Sequence, residues 1–489
     1  MLTVEEIKTF IDQDAASTKK KFAKVGLRYY EADHDIKNYR IFYIDADGKL
    51  QEDKYKTNIQ IPHPFFTENV DQTVQYMLSG KDGFVKSDDP ELQTHLDSYF
   101  NDDEDFAAEL YETLTGCIAK GFDYMYAYKN AEGRTAFQCA DSIGVIEVEK
   151  RFASDKEDHI LYWYIDRIDK DGKTIKRIQD WNANNTVFYK QTGEGEIKKD
   201  EDEKINPRPH VIYTKDGDEE TKFYKGFGFV PFFRLDNCKK QVSGLKPIKA
   251  LIDDYDLMSC GLSNNIQDAN EVLYVVKGFQ GDNLDELMQN IKAKKHIGVD
   301  EDGAIDIKTI DIPAEARKTK LELDEKNIYR FGFALNTSGL KDTNATTNLA
   351  IKSAYSLLDL KANKLEIRLK QFMRKLLKIV LAEINELNGT DYGQKDVYFD
   401  FTRDIPVNEQ EEAQNKLTEA QRKQTEINTL LNIAAHLDND TLMEQIFEQL
   451  DLDYDDYKDR LPKPEEDGLL AAQSTLNSVE VEPETIDIS

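Results

Sequence analysis

The residue types that bind metals or carry acid–base chemistry are present in this chain, but their spacing matches no known metal site. No two of the seven histidines stand four residues apart and no HExxH pattern occurs, so a zinc protease site is not indicated. The four cysteines form no CxxC pair, which predicts reduced, mostly buried thiols in a cytosolic compartment. We therefore expect no metal and no other cofactor. The residues concerned are His34, His63, His95, His159, His210, His296, His436, Cys117, Cys139, Cys238 and Cys260.

Other motifs that could carry chemistry are incomplete. The stretches DADG, DKDG and DLDYDD suggest calcium loops, but Lys54, Ile178 and Pro462 stand where the bidentate glutamate would be. The stretch GFGFVPFF contains Gly226 and Gly228 but lacks a third glycine and opens no helix, which favours a strand with a close backbone approach over a nucleotide site. Neither a GxxxxGK[ST] phosphate loop nor a GxSxG nucleophile turn occurs. With 94 acidic residues, a carboxylate-dependent hydrolase stays open as an alternative.

Composition narrows the class of protein further. The 489 residues are 39% hydrophobic, which is enough for real cores in two to four domains. A formal net charge of −30 argues against a protein that coats nucleic acid through overall positive charge. No run of eighteen apolar residues and no signal-peptide pattern is visible, so we expect a soluble protein.

The first half of the chain is predicted to form an α+β domain, whose elements would position any site there. Apolar periodicity predicts helices over residues 1–24, 65–80 and 105–121. Aromatic and β-branched runs from about 122 to 235 predict strands, with hairpin turns at Asp171-Gly172 and Asp216-Gly217.

The next stretch predicts two long helices that flank a small β unit. In GLKPIKALIDDYDLMSCGLSNNIQDANEVLYVVKG, residues 244–278, apolar residues recur every three or four positions up to about Ala269 and then give way to a strand at 272–276. A short helix at 283–295 and a hairpin that turns at Asp302-Gly303 should complete the β unit. The second long helix starts with Pro313 and runs to Gly332.

The last third of the chain combines a polar loop, one very long helix and an acidic C-terminus. Residues 334–348 are small and polar, which is typical of a functional or disordered loop, and residues 348–388 carry the strongest helical pattern. Within that helix, KANKLEIRLKQFMRKLLK at 361–378 is strongly basic. We interpret it as pairing with acids of a neighbouring domain or subunit, in preference to direct phosphate contact. Helical patterns continue to about Leu450, and residues 461–489 read as an acidic disordered tail.

The order of these parts resembles the portal proteins of tailed bacteriophages, in particular those of long-tailed phages of Gram-positive hosts. The resemblance covers about residues 20–460. Besides the 244–278 stretch, it rests on YYEADHDI (29–36), GFGFVPF (226–232), DIPAEARKTKLELDEKNIYRFG (311–332) and AYSLLDLKANKLE (354–366).

The resemblance implies a fold and a division of the chain. The fold class would be α+β, a portal-type protomer with a wing, long stem helices, a small α/β clip and a helical crown, assembling as a ring. The segments implied are 1–243 wing, 244–269 stem helix, 270–312 clip, 313–333 stem helix, 334–348 tunnel loop, 349–405 wing beam helix and strand, 406–460 crown and 461–489 acidic disordered tail.

The resemblance also implies a function without enzymatic activity. Portal proteins form a ring, typically of about twelve copies, around the channel for DNA packaging and ejection at one capsid vertex. Partners would be double-stranded DNA passing through the channel, a terminase, a head-completion adaptor, and the major capsid and scaffolding proteins. The protein would reside in the virion after assembly in the host cytoplasm, with no membrane partner.

The resemblance selects two sets of candidate site residues. Loop composition favours Asn336, Lys341, Thr343 and Asn344 as contacts to DNA in the tunnel loop, and the clip would dock partners through Leu284, Asp285 and Lys294. Besides the hydrolase, an acidic cytosolic interaction scaffold remains an alternative. A ring-forming conduit should self-assemble, whereas a hydrolase need not.

Overall fold

The computed structural model describes most of the chain, in twelve stretches. They are residues 2–45, 47–54, 56–80, 83–148, 158–214, 222–268, 273–279, 299–308, 313–336, 348–403, 409–450 and 452–458. The chain divides into two compact units, one comprising Met1–Ala345 and Leu349–Ile405, the other Thr346–Asn348 and Pro406–Ser489. Helices and sheets together build the first unit, as expected for an α+β protein.

The N-terminal segment forms two helices where the sequence predicted one. Helix α1 spans Val4–Ala16 and helix α2 spans Thr18–Tyr30. Ser17 between them has an extended backbone, and its hydroxyl accepts a hydrogen bond from the Lys20 backbone N–H at 3.2 Å. The prediction of a single helix was wrong because the apolar period continues across a serine that caps the second helix.

The next three helices are α3 (Phe65–Met77), α4 (Pro90–Leu96) and α5 (Glu104–Lys120). The helices predicted at 65–80 and 105–121 are thus confirmed. Asp103 starts α5 by accepting a hydrogen bond from the Phe106 N–H at 2.9 Å, and Gly121 ends it with a left-handed φ of 99°.

The predicted β-rich region folds into antiparallel sheets. Their strands are β4 (Phe122–Lys129), β5 (Thr135–Ala140), β6 (Val145–Val148), β7 (His159–Ile168), β8 (Thr174–Trp181), β9 (Asn185–Thr192), β10 (Lys198–Lys199), β11 (Arg208–Pro209) and β14 (Phe232–Asp236). A three-stranded sheet has the order β14-β4-β5, and a larger one has the order β10-β9-β8-β7-β6 with β11 paired to β9. The turn predicted at Asp171-Gly172 joins β7 to β8, while Asp216-Gly217 lies outside the described residues.

Three short two-stranded pairs complete the sheets of this half. Their strands are β1 (Phe42–Ile44) with β2 (Leu50–Glu52), β3 (Val85–Lys86) with β17 (Tyr398–Phe399), and β12 (Val211–Thr214) with β13 (Lys222–Lys225). The stretch GFGFVPFF becomes strand only in its last residues. Gly226 approaches the backbone of Asn184 so closely that a Cβ would lie 2.4 Å from its Cα, as a close-approach glycine requires.

The two long helices and the β unit between them are present. Helix α6 spans Lys249–Asp268 and helix α7 spans Ala314–Gly332, with Pro313 at the N-cap position. Helix α6 starts five residues later than predicted, because residues 244–248 form turns around Pro247, which lacks a backbone N–H.

The hairpin predicted at Asp302-Gly303 is wrong. Strand β15 (Leu273–Phe279) pairs antiparallel with a continuous strand β16 (Val299–Lys308), which runs through Asp302 and Gly303. The register shifts there, since Lys277 pairs with Ala304 but Phe279 pairs with Val299. The Asp-Gly dipeptide therefore occupies a bulge in the strand, the other position at which a strand uses glycine. The predicted helix at 283–295 lies outside the described residues.

The predicted long helix is confirmed as α8, Asn348–Asn388. Its inner side carries fully buried residues, among them Ala362, Leu369 and Phe372, into the main hydrophobic core. That core also receives α3, α5, one face of the β14-β4-β5 sheet and the first turns of α6, so α8 supports the elements around it.

The second unit is helical in its described part. Its helices are α9 (Glu409–Asn432), α10 (Asn439–Gln449) and α11 (Tyr454–Tyr457), with a short 3₁₀ turn at Ala434–His436. The helical pattern predicted as far as Leu450 is confirmed, and the tail 461–489 lies outside the described residues.

Candidate functional site

Helices α6 and α7 pack side by side and are joined by both apolar and charged contacts. Ile252 and Ile328 are buried in the same core. The Lys320 ammonium lies 2.6 Å from the Asp254 carboxylate of α6 and also contacts Asp324 on its own helix. Hydrogen bonds to these two carboxylates raise the pKa of Lys320 above its usual value. These contacts hold α6 and α7 together near the end of the helix pair that lies in the main core.

A buried carboxylate on α6 holds two histidines from the N-terminal region. Asp256 Oδ2 lies 2.6 Å from His34 Nδ1, and Asp256 Oδ1 lies 2.8 Å from His63 Nδ1. The His63 backbone N–H donates to the same Oδ1 at 2.9 Å. The His34 ring stacks on Tyr29 with centroids 4.4 Å apart. These contacts attach the segment that follows α2 and the segment that precedes α3 to one point on α6.

The charge of Asp256 is stabilised by these partners. Burial alone would raise its pKa, but the hydrogen bonds from His34 and His63 outweigh burial, and the pKa lies below its usual value. A carboxylate that stays ionised at this depth needs such donors, because an unpaired buried charge is strongly unfavourable. Asp256 therefore acts as a fixed polar anchor in an otherwise apolar helix face.

A second ionic cluster lies one to two turns earlier on α6. Lys249 Nζ lies 2.6 Å from the Asp35 carboxylate and 2.7 Å from that of Asp253, and it donates to the Tyr29 hydroxyl at 3.0 Å. Burial would raise the pKa of Asp35, but hydrogen bonds from Lys249 and Arg28 lower it to about 2. The two clusters together hold the N-terminal end of α6 against α2 and the turn after it.

The surroundings of Asp256 superficially match a hydrolytic triad. Ser259 Oγ lies 3.4 Å from His63 Nε2, and His63 in turn contacts Asp256. Ser259 is inside α6, however, where backbone N–H groups donate to carbonyls one turn earlier and are not available to stabilise an oxyanion. The arrangement fits a structural clamp better than acyl transfer.

The chain that leaves α7 is held by α3 and α8. The Asn69 side-chain amide donates to the Gly332 carbonyl at 3.0 Å, and Lys361 of α8 contacts both Asn69 and that carbonyl, the latter at 3.2 Å. Three residues later, Leu335 exchanges two hydrogen bonds with the Gln72 side chain, at 3.0 and 3.1 Å. The start of the polar loop predicted at 334–348 is thereby fixed.

Lys361 has an unusually low pKa for a lysine. The residue as a whole is only half-buried, yet burial of its side chain lowers the pKa to about 7. A neutral or easily neutralised lysine at this position suits a contact with a carbonyl and an amide oxygen, since neither carries a full charge.

The predicted site residues are only partly placed by the structure. Asn336 is half-buried and directly follows Leu335, the residue held by Gln72. Lys341, Thr343 and Asn344 of the predicted tunnel loop, and Leu284, Asp285 and Lys294 of the predicted docking set, lie outside the described residues.

Sequence reasoning missed the polar anchors Asp256, Asn69 and Lys361. A signal was present for the first of them, because Asp256 stands four residues after the buried Ile252 and four before the buried Cys260. A carboxylate in the apolar register of an amphipathic helix must be buried with partners. Nothing comparable marked Lys361, which sits in a run of lysines and arginines.

No group of three or more His, Cys, Asp or Glu side chains in the described part of the chain could hold a metal ion. None of the helices described is long and apolar enough to span a membrane.

Comparison with known proteins defines the class. The family model for "Phage portal protein, SPP1 Gp6-like" matches residues 11–453, a range that includes the paired helices, the β unit and the long helix. The chain therefore belongs to this family of phage portal proteins, as the resemblance in the sequence predicted.

Two curated relatives carry the same name. The portal protein of Bacillus phage SPP1 is 28% identical over 392 residues, which cover 80% of this chain and 76% of that protein. The portal protein of Clostridium phage phiCD119 is 32% identical over 192 residues, which cover 38% of this chain and 41% of that protein.

Proposed function

We propose that the protein assembles as a ring of about twelve copies at one capsid vertex, around a channel through which double-stranded DNA is packaged and later ejected. The observation that carries the proposal is the family match over residues 11–453, which runs through the main structural elements of both units. Twelve copies are the expectation from the family resemblance.

The surface of the paired helices supports assembly. Leu257 and Ile266 of α6 are 40% and 53% exposed, and Leu323 and Phe331 of α7 are 53% and 46% exposed. Large apolar side chains repeated along two neighbouring helices are unfavourable in water and are expected to be covered by a partner. In a ring, the same helices of adjacent copies would cover them.

The segments then take the roles that the family resemblance assigns. Helices α6 and α7 would be the stem, and residues 270–312 with the β15–β16 pair would be the clip. Residues 1–243 would form most of the wing, and 349–405 would supply its beam helix and a strand. Residues 406–460 would be the crown, and 461–489 an acidic disordered tail.

The acidity of the chain suits a conduit. Duplex DNA carries one negative charge per about 1.7 Å of its axis, so a wall rich in lysine and arginine would hold the DNA tightly. A protein with a net charge of −30 allows DNA to slide. We assign the few DNA-facing contacts to Asn336, Lys341, Thr343 and Asn344 in the loop 334–348, whose first residues are held by Gln72.

No enzymatic step is part of this proposal. ATP hydrolysis would be performed by a separate terminase that docks on the clip, through Leu284, Asp285 and Lys294, and a head-completion adaptor would use the same region later. The major capsid and scaffolding proteins would surround the ring. The protein would be a virion component, assembled in the host cytoplasm.

The native mass of the purified protein tests the ring. Twelve copies of the 56.3 kDa chain give about 0.68 MDa, which light scattering and native mass spectrometry distinguish easily from a monomer. A chain that stays monomeric even with capsid and scaffolding proteins present would contradict the proposal and favour the interaction scaffold.

The loop assignment has its own test. Alanine at Asn336, Lys341, Thr343 and Asn344 together should reduce the amount of DNA packaged or retained, because the channel loses its polar contacts. Alanine at Lys239 and Lys240, two exposed lysines outside the loop, serves as the control. Unchanged packaging and retention in the loop variant would refute the assignment.

A further inference from the structure

One side of the long helix α8 forms a basic face, which we define as Lys364, Arg368, Arg374, Lys375 and Lys378. These residues follow one another at intervals that place them on the same side of a helix. At a rise of 1.5 Å per residue the face extends for about 21 Å. Two apolar residues share this side, Leu360 and Ile367, which are 60% and 62% exposed.

The basic face forms no ion pairs in the described part of its own copy, although Lys375 lines a cavity with Glu147, Asp158 and Asp236. Within the described part of the chain, Lys364, Arg368, Lys375 and Lys378 form no ion pair with a carboxylate. The acids of this part of α8 point elsewhere: Asp359 and Glu366 both contact Arg403. A strip of unpaired positive charge is thus concentrated on one helix of a strongly acidic protein.

A complementary acidic face lies on α5 and is defined by Glu104, Asp105, Glu109 and Glu112. Their spacing places them on one side of the helix, and Glu104, Asp105 and Glu112 are exposed. None of the four forms an ion pair with a lysine, arginine or histidine in the described part of the chain. Glu109 accepts a hydrogen bond from the Cys139 backbone N–H at 2.7 Å, so it is fixed in place.

We propose that the basic face of α8 docks on the acidic face of α5 in a second copy of this chain. The inference rests on the proposed ring. Two different surfaces that pair between identical neighbours make a head-to-tail contact, and repeated contacts of this kind close into a ring when the rotation between neighbours divides a full turn evenly. Opposite potentials also set the register of such a contact and steer its formation.

The composition of the basic face favours a protein partner over DNA. Leu360 and Ile367 lie among the basic side chains, and burying them against another protein is favourable because it removes apolar surface from water. Contacts to a phosphate backbone would leave these two side chains in water, because phosphate recognition uses charge and hydrogen bonds.

Charge reversal provides the test. A base-reversed variant carries Lys364→Glu, Lys375→Glu and Lys378→Glu. An acid-reversed variant carries Glu104→Lys, Asp105→Lys and Glu112→Lys. Each variant alone gives both faces the same sign, so at fixed protein concentration the ring fraction should fall at least about tenfold.

Restoring complementarity should restore the ring. A chain with all six substitutions has opposite faces again, and so does an equimolar mixture of the two triple variants, in which the copies would alternate around the ring. The control is Lys239→Glu, Lys240→Glu and Lys246→Glu, which makes the same charge change at three exposed lysines. Native mass spectrometry measures the ring, and circular dichroism checks that each variant is folded.

The outcomes separate the interface from the ring. Normal rings from the base-reversed variant would overturn the interface alone, and if those rings also lost DNA retention, the basic face would be a DNA contact instead. If neither the chain with all six substitutions nor the equimolar mixture forms rings, while the control does, the pairing of the two faces is likewise overturned. A wild-type chain that never forms rings with its capsid and scaffolding proteins present would overturn the proposed function, and the interface with it.

Discussion

The Asp256 carboxylate offers a direct test of the polar anchor on α6. Asp256→Ala removes an acceptor of three hydrogen bonds, from the Nδ1 atoms of His34 and His63 and from the His63 backbone N–H. His34 is fully buried, so its unpaired ring N–H costs about 1–3 kcal/mol. The His63 side chain is 28% exposed, so water compensates in part and its two donors cost about 0.5–1 kcal/mol each. We expect the free energy of unfolding to fall by about 2–5 kcal/mol.

The effect should depend on pH in a defined direction. The pKa of Asp256 is lowered in the folded protein, so the ionised carboxylate stabilises the fold above the usual aspartate pKa of about 3.9. That stabilisation is lost as the pH falls through the folded-state pKa. The difference between wild type and Asp256→Ala should therefore be largest near neutral pH and shrink below about pH 4.

Urea denaturation followed by circular dichroism measures the change, at one protein concentration because assembly adds to apparent stability. Asp254→Ala is the matched control, since Asp254 lies on the same helix and pairs with Lys320 at a site where its own side chain is 45% exposed. A loss below about 1 kcal/mol is expected there. Equal losses in the two variants would refute the reasoning that burial, and not charge alone, makes Asp256 important.

Two further variants test the contacts that Asn69 and Lys361 make with Gly332, just before the polar loop. The contribution of Lys361 to the free energy of unfolding should rise from pH 7 to about pH 10, because the unfolded chain keeps the Lys361 proton over a range in which the folded chain, with its pKa of about 7, has released it. Lys361→Met should abolish this rise of about 2 kcal/mol, a value reduced for partial exposure, and the same slope in both proteins would contradict it. Gly332→Ala should cost about 1–3 kcal/mol in urea denaturation, since a Cβ would lie 2.1 Å from Asn69 Nδ2. Gly261→Ala is the control, because its Cβ would meet its nearest neighbour only at 3.5 Å, and it should be neutral or stabilising by up to about 1 kcal/mol. A larger loss of stability in Gly261→Ala than in Gly332→Ala would show that the surroundings of Gly332 are not tightly packed.

Helix α8 shows how much of the fold the sequence could predict. Its bounds agree with the predicted 348–388, because an apolar stripe sustained over eleven turns has few alternative partners and no proline or glycine interrupts it. Where local signals were ambiguous, prediction failed. Ser17 caps a helix inside a continuous apolar period, and Asp302-Gly303, a dipeptide typical of turns, lies in a strand bulge.

The sequence by itself determined which faces of α3, α5, α6 and α8 are apolar, the absence of a catalytic motif, and the resemblance to phage portal proteins. These properties depend on residues close together along the chain or on the order of segments. Only the tertiary structure decided which polar residues meet. His34 and His63 lie 222 and 193 positions from Asp256, and Lys361 lies 292 positions from Asn69. Local periodicity predicts that a residue is buried, but it does not identify the residue's hydrogen-bond partner. A buried polar group needs hydrogen bonds, and the packing of distant segments decides which residues supply them.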